Sequence, residues 1–305
     1  MKAMILTTAA ALIIAGATHA SAFAGFPSYL RTKRALDASK TPEATHSPAP
    51  AAPRTEKQRT EAVKIAITRA IETGAPLYNA GNVAGCVAAY ESAARELMKS
   101  GDTRDLHRAL LVEALVDGTK DSDRAWLIRR AFDRIHADLA FKPIQEASMP
   151  EGFPKAGPVG TVRVKEYPRY RAARASDGRS SFWMLFRHIK KNDVKMTAPV
   201  EMTMDESMRQ KNMAFLYESP TQGRSGADGA VKVLDLEPVK VLSIGIRGRR
   251  TADEMKRARS LLEAALVGSG YERSGDFRVM GYNSPMVPGA RQYWEVQIPV
   301  VATSR

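Results

Sequence analysis

One cysteine in 305 residues, Cys86, excludes an intramolecular disulfide framework. It lies among Ala and Val at helical spacing, as a small hydrophobe of a packed core or as a reactive thiol. The catalytic signatures HExxH, CxxC, G-x-S-x-G and the P-loop are all absent. The C-x-x-C-H motif is absent as well. Beyond the first residues no apolar run approaches the ~20 needed to cross a bilayer, so no transmembrane segment is expected. Gly268-Ser269-Gly270 follows a helical stretch rather than a strand and reads as a helix stop, not a dinucleotide loop. No nucleophile stands beside a plausible base, and these absences together argue against an enzyme.

Charge is plentiful but dispersed. The formal net charge is +13, yet Lys and Arg are interleaved with Asp and Glu and form no long tract. This favours solvated faces over a nucleic-acid partner. At the start, Met1-Lys2, the apolar stretch AMILTTAAALIIAGA and the A-x-A site at Ala22-Phe23-Ala24 read as a secretory signal peptide over residues 1–24. An exported protein, periplasmic or extracellular, is expected. Residues 25–55, with TPEATHSPAPAAPR, are rich in Pro and Ala with little to bury, and read as an extended linker.

From Glu56 to about residue 142 apolar residues recur at helix spacing, as with Val63, Ile67, Ala70 and Ile71. The stretch GAPLYNAGNVAGCVAAYESAARELMKSG resembles one tetratricopeptide unit, but shifting by one repeat length does not reproduce it. A single unit cannot form a solenoid. A small all-α domain over 56–142 is expected, its hairpin serving either packing or a protein partner. Pro143, Pro150, Pro154 and Pro158, with Gly152, Gly157 and Gly160, then mark a boundary.

Beyond it the period changes to two. Strand-like VGTVRVKEY and YRAARAS, a helix SSFWMLFRHIKK, then VKMTAPVEMTM and MAFLYES are followed by a second set: VKVLDLE, VKVLSIGIRG, a helix TADEMKRARSLLEAALVG, FRVMGYN and YWEVQIPV. This is a duplicated β-α-β-β unit, and the fold class is α+β. In VKMTAPVEMTM, Val194 to Met204, strict alternation predicts one half-buried strand. Met196, Met202 and Met204 would face inward as core filler or as soft ligands, and Pro199 would suit an edge or bulge.

Four blocks in order carry a family resemblance: FWMLFRHIKKND, MTAPV at Met196–Val200, Gly245-Ile246-Arg247-Gly248 before the second helix, and GYNSPMVPGAR with WEVQIPV. Over about residues 158–301 the sequence resembles the SOUL/heme-binding protein family. It departs from the family's usual residues at His188, Lys191 and Trp294. The resemblance implies a distorted antiparallel β-barrel with two helices for residues 158–305. It also implies a shallow hydrophobic groove that holds heme or another tetrapyrrole non-covalently.

On the first helix of that region Phe182, Leu185, Phe186 and Ile189 form the packing stripe. Met184 and His188 fall together on one flank with Lys191 close by, while Trp183, Arg187 and Lys190 fall on the other. His188 is a candidate axial metal ligand, or else a solvated surface histidine. Arg187, Lys191 and Lys195 are candidate partners for propionates. By the resemblance, the loop Tyr282-Asn283-Ser284-Pro285-Met286-Val287-Pro288 would border the groove, with Tyr282, Pro285 and Met286 at its rim; it could equally be a rigid turn. The expected function is an exported tetrapyrrole-binding protein for sequestration or carriage. The rival is a protein- or peptide-interaction module using the helical region or the groove.

Overall fold

The computed structural model describes residues 54–116, 120–176 and 180–303. The expected signal peptide lies outside the described residues, as does all but the last part of the linker. Four helices come first: α1 (Glu56–Asn79), α2 (Val83–Lys99), α3 (Asp105–Ala114) and α4 (Asp121–Ala140). Thr55 caps α1 in a reciprocal box with Gln58, satisfying two otherwise orphaned backbone N–H groups. Gly74 is where α1 meets α2: a Cβ there would lie 2.3 Å from the Tyr90 ring, so the hairpin closes only around glycine. Cys86 is buried in this core beside Tyr90, Ile128 and Phe132, as the hydrophobic reading of the cysteine anticipates.

The rest is one antiparallel sheet with two helices. Its elements are β1 (Val162–Tyr167), β2 (Tyr170–Ser176), α5 (Ser181–Lys191), β3 (Val200–Met204), β4 (Gln210–Leu216), β5 (Gly226–Asp228), β6 (Val231–Leu236), β7 (Val239–Arg247), α6 (Ala252–Leu266), β8 (Tyr271–Arg273), β9 (Arg278–Gly281) and β10 (Tyr293–Ala302). The strand order is β1-β7-β10-β9-β3-β4-β2-β6-β5, with β8 against β10. The duplication is intertwined. First-unit β1 pairs with second-unit β7, second-unit β6 pairs with first-unit β2, and β3 meets β9 in the middle.

The expected barrel is corrected to an open sheet. Its ends are β1 and the three-residue β5, which pair only with β7 and β6. The short β5 and β8 lie outside the expected strands, β8 directly after the Gly268-Ser269-Gly270 stop. The expected strand over Val194–Met204 is also shorter: only Val200–Met204 pairs. Met202 and Met204 are buried but Met196 is exposed, while Thr197 and Glu201, on the supposed solvent parity, are buried. Pro199 has no N–H to donate and sits just ahead of the strand rather than within it.

Side chains alternate between faces, and paired residues share one. On one face Leu242, Ile244, Ile246, Val296 and Ile298 pack with Met255, Ala258 and Leu262 of α6. Ala173, Ala175, Phe215 and Val233 on that face pack with Leu185 and Ile189 of α5. The other face carries the row Arg174, Ala214, Glu201, Met280, Glu295 and Gly245, neighbours across successive strands.

That second face is crossed by residues 141–160. Phe141 stacks on Tyr293, and Phe153 sets its ring edge-on to Tyr167 and Tyr170 at 4.9 and 5.2 Å. Ser148 accepts from the Ala198 N–H and Glu218 from the Glu151 N–H through their carbonyls, at 2.9 and 2.8 Å. Residues 141–160 thus form a strap across that face. Further bonds tie the helices to the sheet. Arg104 donates to the Val159 carbonyl, the Val162 N–H to Asp105, and Arg247 to Asp138, at 2.8, 2.9 and 2.6 Å.

Candidate functional site

α5 carries four of the eight predicted residues, Met184, Arg187, His188 and Lys191, and its two sides differ. Leu185 and Ile189 face the sheet, and His188 goes in with them, only 6% exposed. Both imidazole nitrogens are taken: Nδ1 lies 2.7 Å from Asp228 Oδ2, and Nε2 lies 2.8 Å from the Tyr217 hydroxyl. Asp228 also accepts from Lys191 at 2.8 Å and from Asn192 at 3.3 Å. Bonds from Lys191, His188 and Asn192 hold its carboxyl down at about 2. Burial pushes the Tyr217 phenol up. A carboxylate on Nδ1 fixes the tautomer that leaves Nε2 to accept the tyrosine proton. Coordination of a metal through Nε2 would cost the Tyr217 bond, so the geometry makes His188 a pin between helix and sheet.

Beside this line opens a cavity of about 400 Å³, walled by His188, Lys191, Tyr217, Arg224 and Asp228. Met184, Arg187 and Lys195 form no part of that wall. Met184 is half-buried against the α5 core, and Arg187 is exposed on the far side of the helix. Lys195 is exposed, 3.7 Å from Glu218.

The loop after β9 is elsewhere. Tyr282 is buried with its hydroxyl 3.3 Å from Glu295, while Pro285 is exposed and Met286 is 88% exposed. Glu146 of the strap accepts from the Ser284 N–H at 2.7 Å and its hydroxyl at 2.9 Å; Asn283 donates to the Ile144 carbonyl at 2.9 Å. The Ser284 N–H draws the Glu146 carboxyl below its usual range. These bonds fasten the loop to the strap.

On the outward side of α5 Trp183 stands beside Phe182 and Phe186, which are half-buried and pack on the sheet core. Trp183 is 60% exposed and stands edge-on to Phe182 and Phe186, with centroids 5.5 and 6.0 Å away. Phe182 and Phe186 are nearly parallel at 6.2 Å, and Lys190 Nζ lies 5.7 Å from the Phe186 ring centre. Exposed Arg187 shares this side. An apolar aromatic surface bordered by cations suits a flat macrocycle bearing carboxylates.

The opposite face of the sheet holds buried charges. Glu295 is fully buried; Lys165 Nζ lies 2.6 Å away, with the Gly157 N–H and the Tyr293 hydroxyl at 2.8 Å. Burial alone would raise its carboxyl, but the Lys165 charge and the Gly157 N–H outweigh that and draw it down. Glu201 accepts from Tyr170 at 2.8 Å and lies 3.6 Å from buried Arg278. Neither carboxylate, nor Tyr217 and Asp228, emerged from the sequence as a site residue. Tyr217 and Asp228 lie 29 and 40 residues beyond His188, and nothing in their spacing points to it.

Solved structures similar to this chain include the EcmrR C-terminal domain and a hydrolase from Listeria innocua. The first is 15% identical, with 47% of this chain and 98% of that one covered, at a TM-score of 0.37. The second is 11% identical, with 48% and 94% covered, also at 0.37. None of the curated proteins compared matches the chain. The model of the SOUL heme-binding protein family matches residues 159–299, from just before β1 into β10 and including both sheet helices. The C-terminal part of this chain is a domain of the SOUL heme-binding protein family.

Proposed function

We propose that the chain is an exported binding protein that holds heme or a related tetrapyrrole non-covalently, for sequestration or carriage. The observation that carries the reading is the exposed Trp183 with Phe182 and Phe186 on α5 of a SOUL domain, bordered by Arg187 and Lys190. In this reading the macrocycle lies against the aromatic side of α5 and the cations meet its carboxylates. His188 supports the helix from behind without touching the metal. Export rests on the leader-like residues 1–24, and binding without chemistry on the lack of a catalytic signature in the sequence.

Absorption titration with hemin tests this. The wild type should give a saturable Soret shift, Trp183→Ala should weaken binding at least tenfold, and His188→Ala should leave the band position unchanged. A band that moves with His188→Ala while Trp183→Ala binds normally would restore imidazole ligation and defeat the stacking site.

A further inference from the structure

The helical region contains a cavity that neither the sheet nor the family accounts for. It lies between α1, α2 and α4, has a volume of about 230 Å³, and is walled by Tyr78, Cys86, Tyr90, Ala125, Trp126 and Arg129. Trp126 is 50% exposed yet held upright: its Nε1–H donates to the Tyr78 hydroxyl at 3.1 Å, with the rings edge-on and 5.9 Å apart. Cys86 and Tyr90 close the floor, both buried. Burial pushes the Cys86 thiol up, so this floor is uncharged and chemically quiet. Small Ala75 and Ala125 leave the space open where larger side chains would fill it.

One full charge stands in the wall. Arg129 spends its Nε–H on Asp133 at 3.0 Å, and Asp133 is exposed. Arg129 also hydrogen-bonds the Tyr90 hydroxyl in the floor; a guanidinium has five donors, so these two bonds still leave N–H groups for a second carboxylate. An aromatic box with a cation at its edge recognises an apolar group ending in an anion.

Size narrows the class. A cavity of about 150 Å³ suffices for benzene, while drug-sized ligands need about 300 Å³ or more. The observed volume admits one ring with a short tail and excludes a tetrapyrrole. We propose that this cavity binds a small arylalkanoic acid, its ring between Tyr78, Trp126 and Tyr90 and its carboxylate on Arg129. The site is independent of the SOUL domain's ligand.

Calorimetric titration of the full chain with phenylacetate and with phenylacetamide, in wild type, Arg129→Gln and Ala125→Leu, tests the proposal. Helical circular dichroism checks that each variant is folded. The acid should bind saturably and at least tenfold more tightly than the amide. Arg129→Gln should abolish that difference, and Ala125→Leu, which fills the cavity, should weaken the acid at least tenfold. No saturable binding of the acid, equal binding of acid and amide, or binding indifferent to both substitutions would each overturn it.

Discussion

The two faces of the sheet are built on opposite principles. The face under α5 and α6 is sealed by aliphatic side chains such as Leu185, Ile189, Leu242 and Leu262, whose burial needs no partner beyond good packing. The face under the strap buries Glu201, Glu295, Lys165 and Arg278, each of which has to be matched. Buried charge tolerates no missing partner, because an unpaired ion in a low dielectric costs several kcal/mol. The lesson is that a side chain's polarity does not tell which side of a sheet meets water. What crosses that side decides it.

The largest expected effect comes from breaking the polar face. Lys165→Met leaves Glu295 buried without its cation and should cost about 3–5 kcal/mol in urea denaturation. Adding Glu295→Leu in the same chain should recover much of that loss, since an apolar pair carries no desolvation penalty. If the single variant is as stable as wild type, the pair is not buried as described.

On the helix-covered face Leu185→Ala should cost about 2–5 kcal/mol, set by the cavity it leaves. Unlike Lys165→Met, this loss should be nearly independent of pH between neutrality and mild acid. That contrast is the sharper comparison, because it separates packing from charge.

Acid itself should discriminate between the faces. The folded Glu295 carboxyl lies below its ordinary value of 4.5. The stability it contributes is therefore fully present above that value and is lost as pH falls through the lower, folded value. Urea midpoints measured from pH 7 downward should fall in the wild type and fall less in Glu295→Gln. Parallel curves would remove Glu295 from the acid response. The smallest effect is expected at the fastened loop tip: Met286→Ala should change stability by no more than about 0.5 kcal/mol, since its side chain is almost wholly in water.

The same contrast explains what was legible in the sequence. Helix spacing marked α1, α2, α4, α5 and α6, and the alternation of VKVLSIGIRG and YWEVQIPV marked β7 and β10. The duplicated unit followed from their order. Alternation sets Ser243, Glu295 and Gln297 opposite the apolar row of the same strands, yet they are buried, because the strap covers their face. Prolines and glycines at 143–160 announced a break in periodicity but not where the chain would lie. For His188, helix geometry placed it beside Met184 on a flank, but its partners Tyr217 and Asp228 come from just after β4 and from β5. Pairing across strands, not local spacing, brought them there. The aromatic side with Trp183, Arg187 and Lys190 was legible as a flank, though not as the more accessible one.

The central claim is that a ligand meets the domain on α5 and not on the strapped face. Hydrogen exchange of the full chain with and without saturating hemin tests it most directly. Added protection concentrated in residues 181–191, with residues 150–160 and 293–297 unchanged, is the predicted result. Protection of the strap and β10 with none on α5 would contradict the account and move the site to the buried carboxylates.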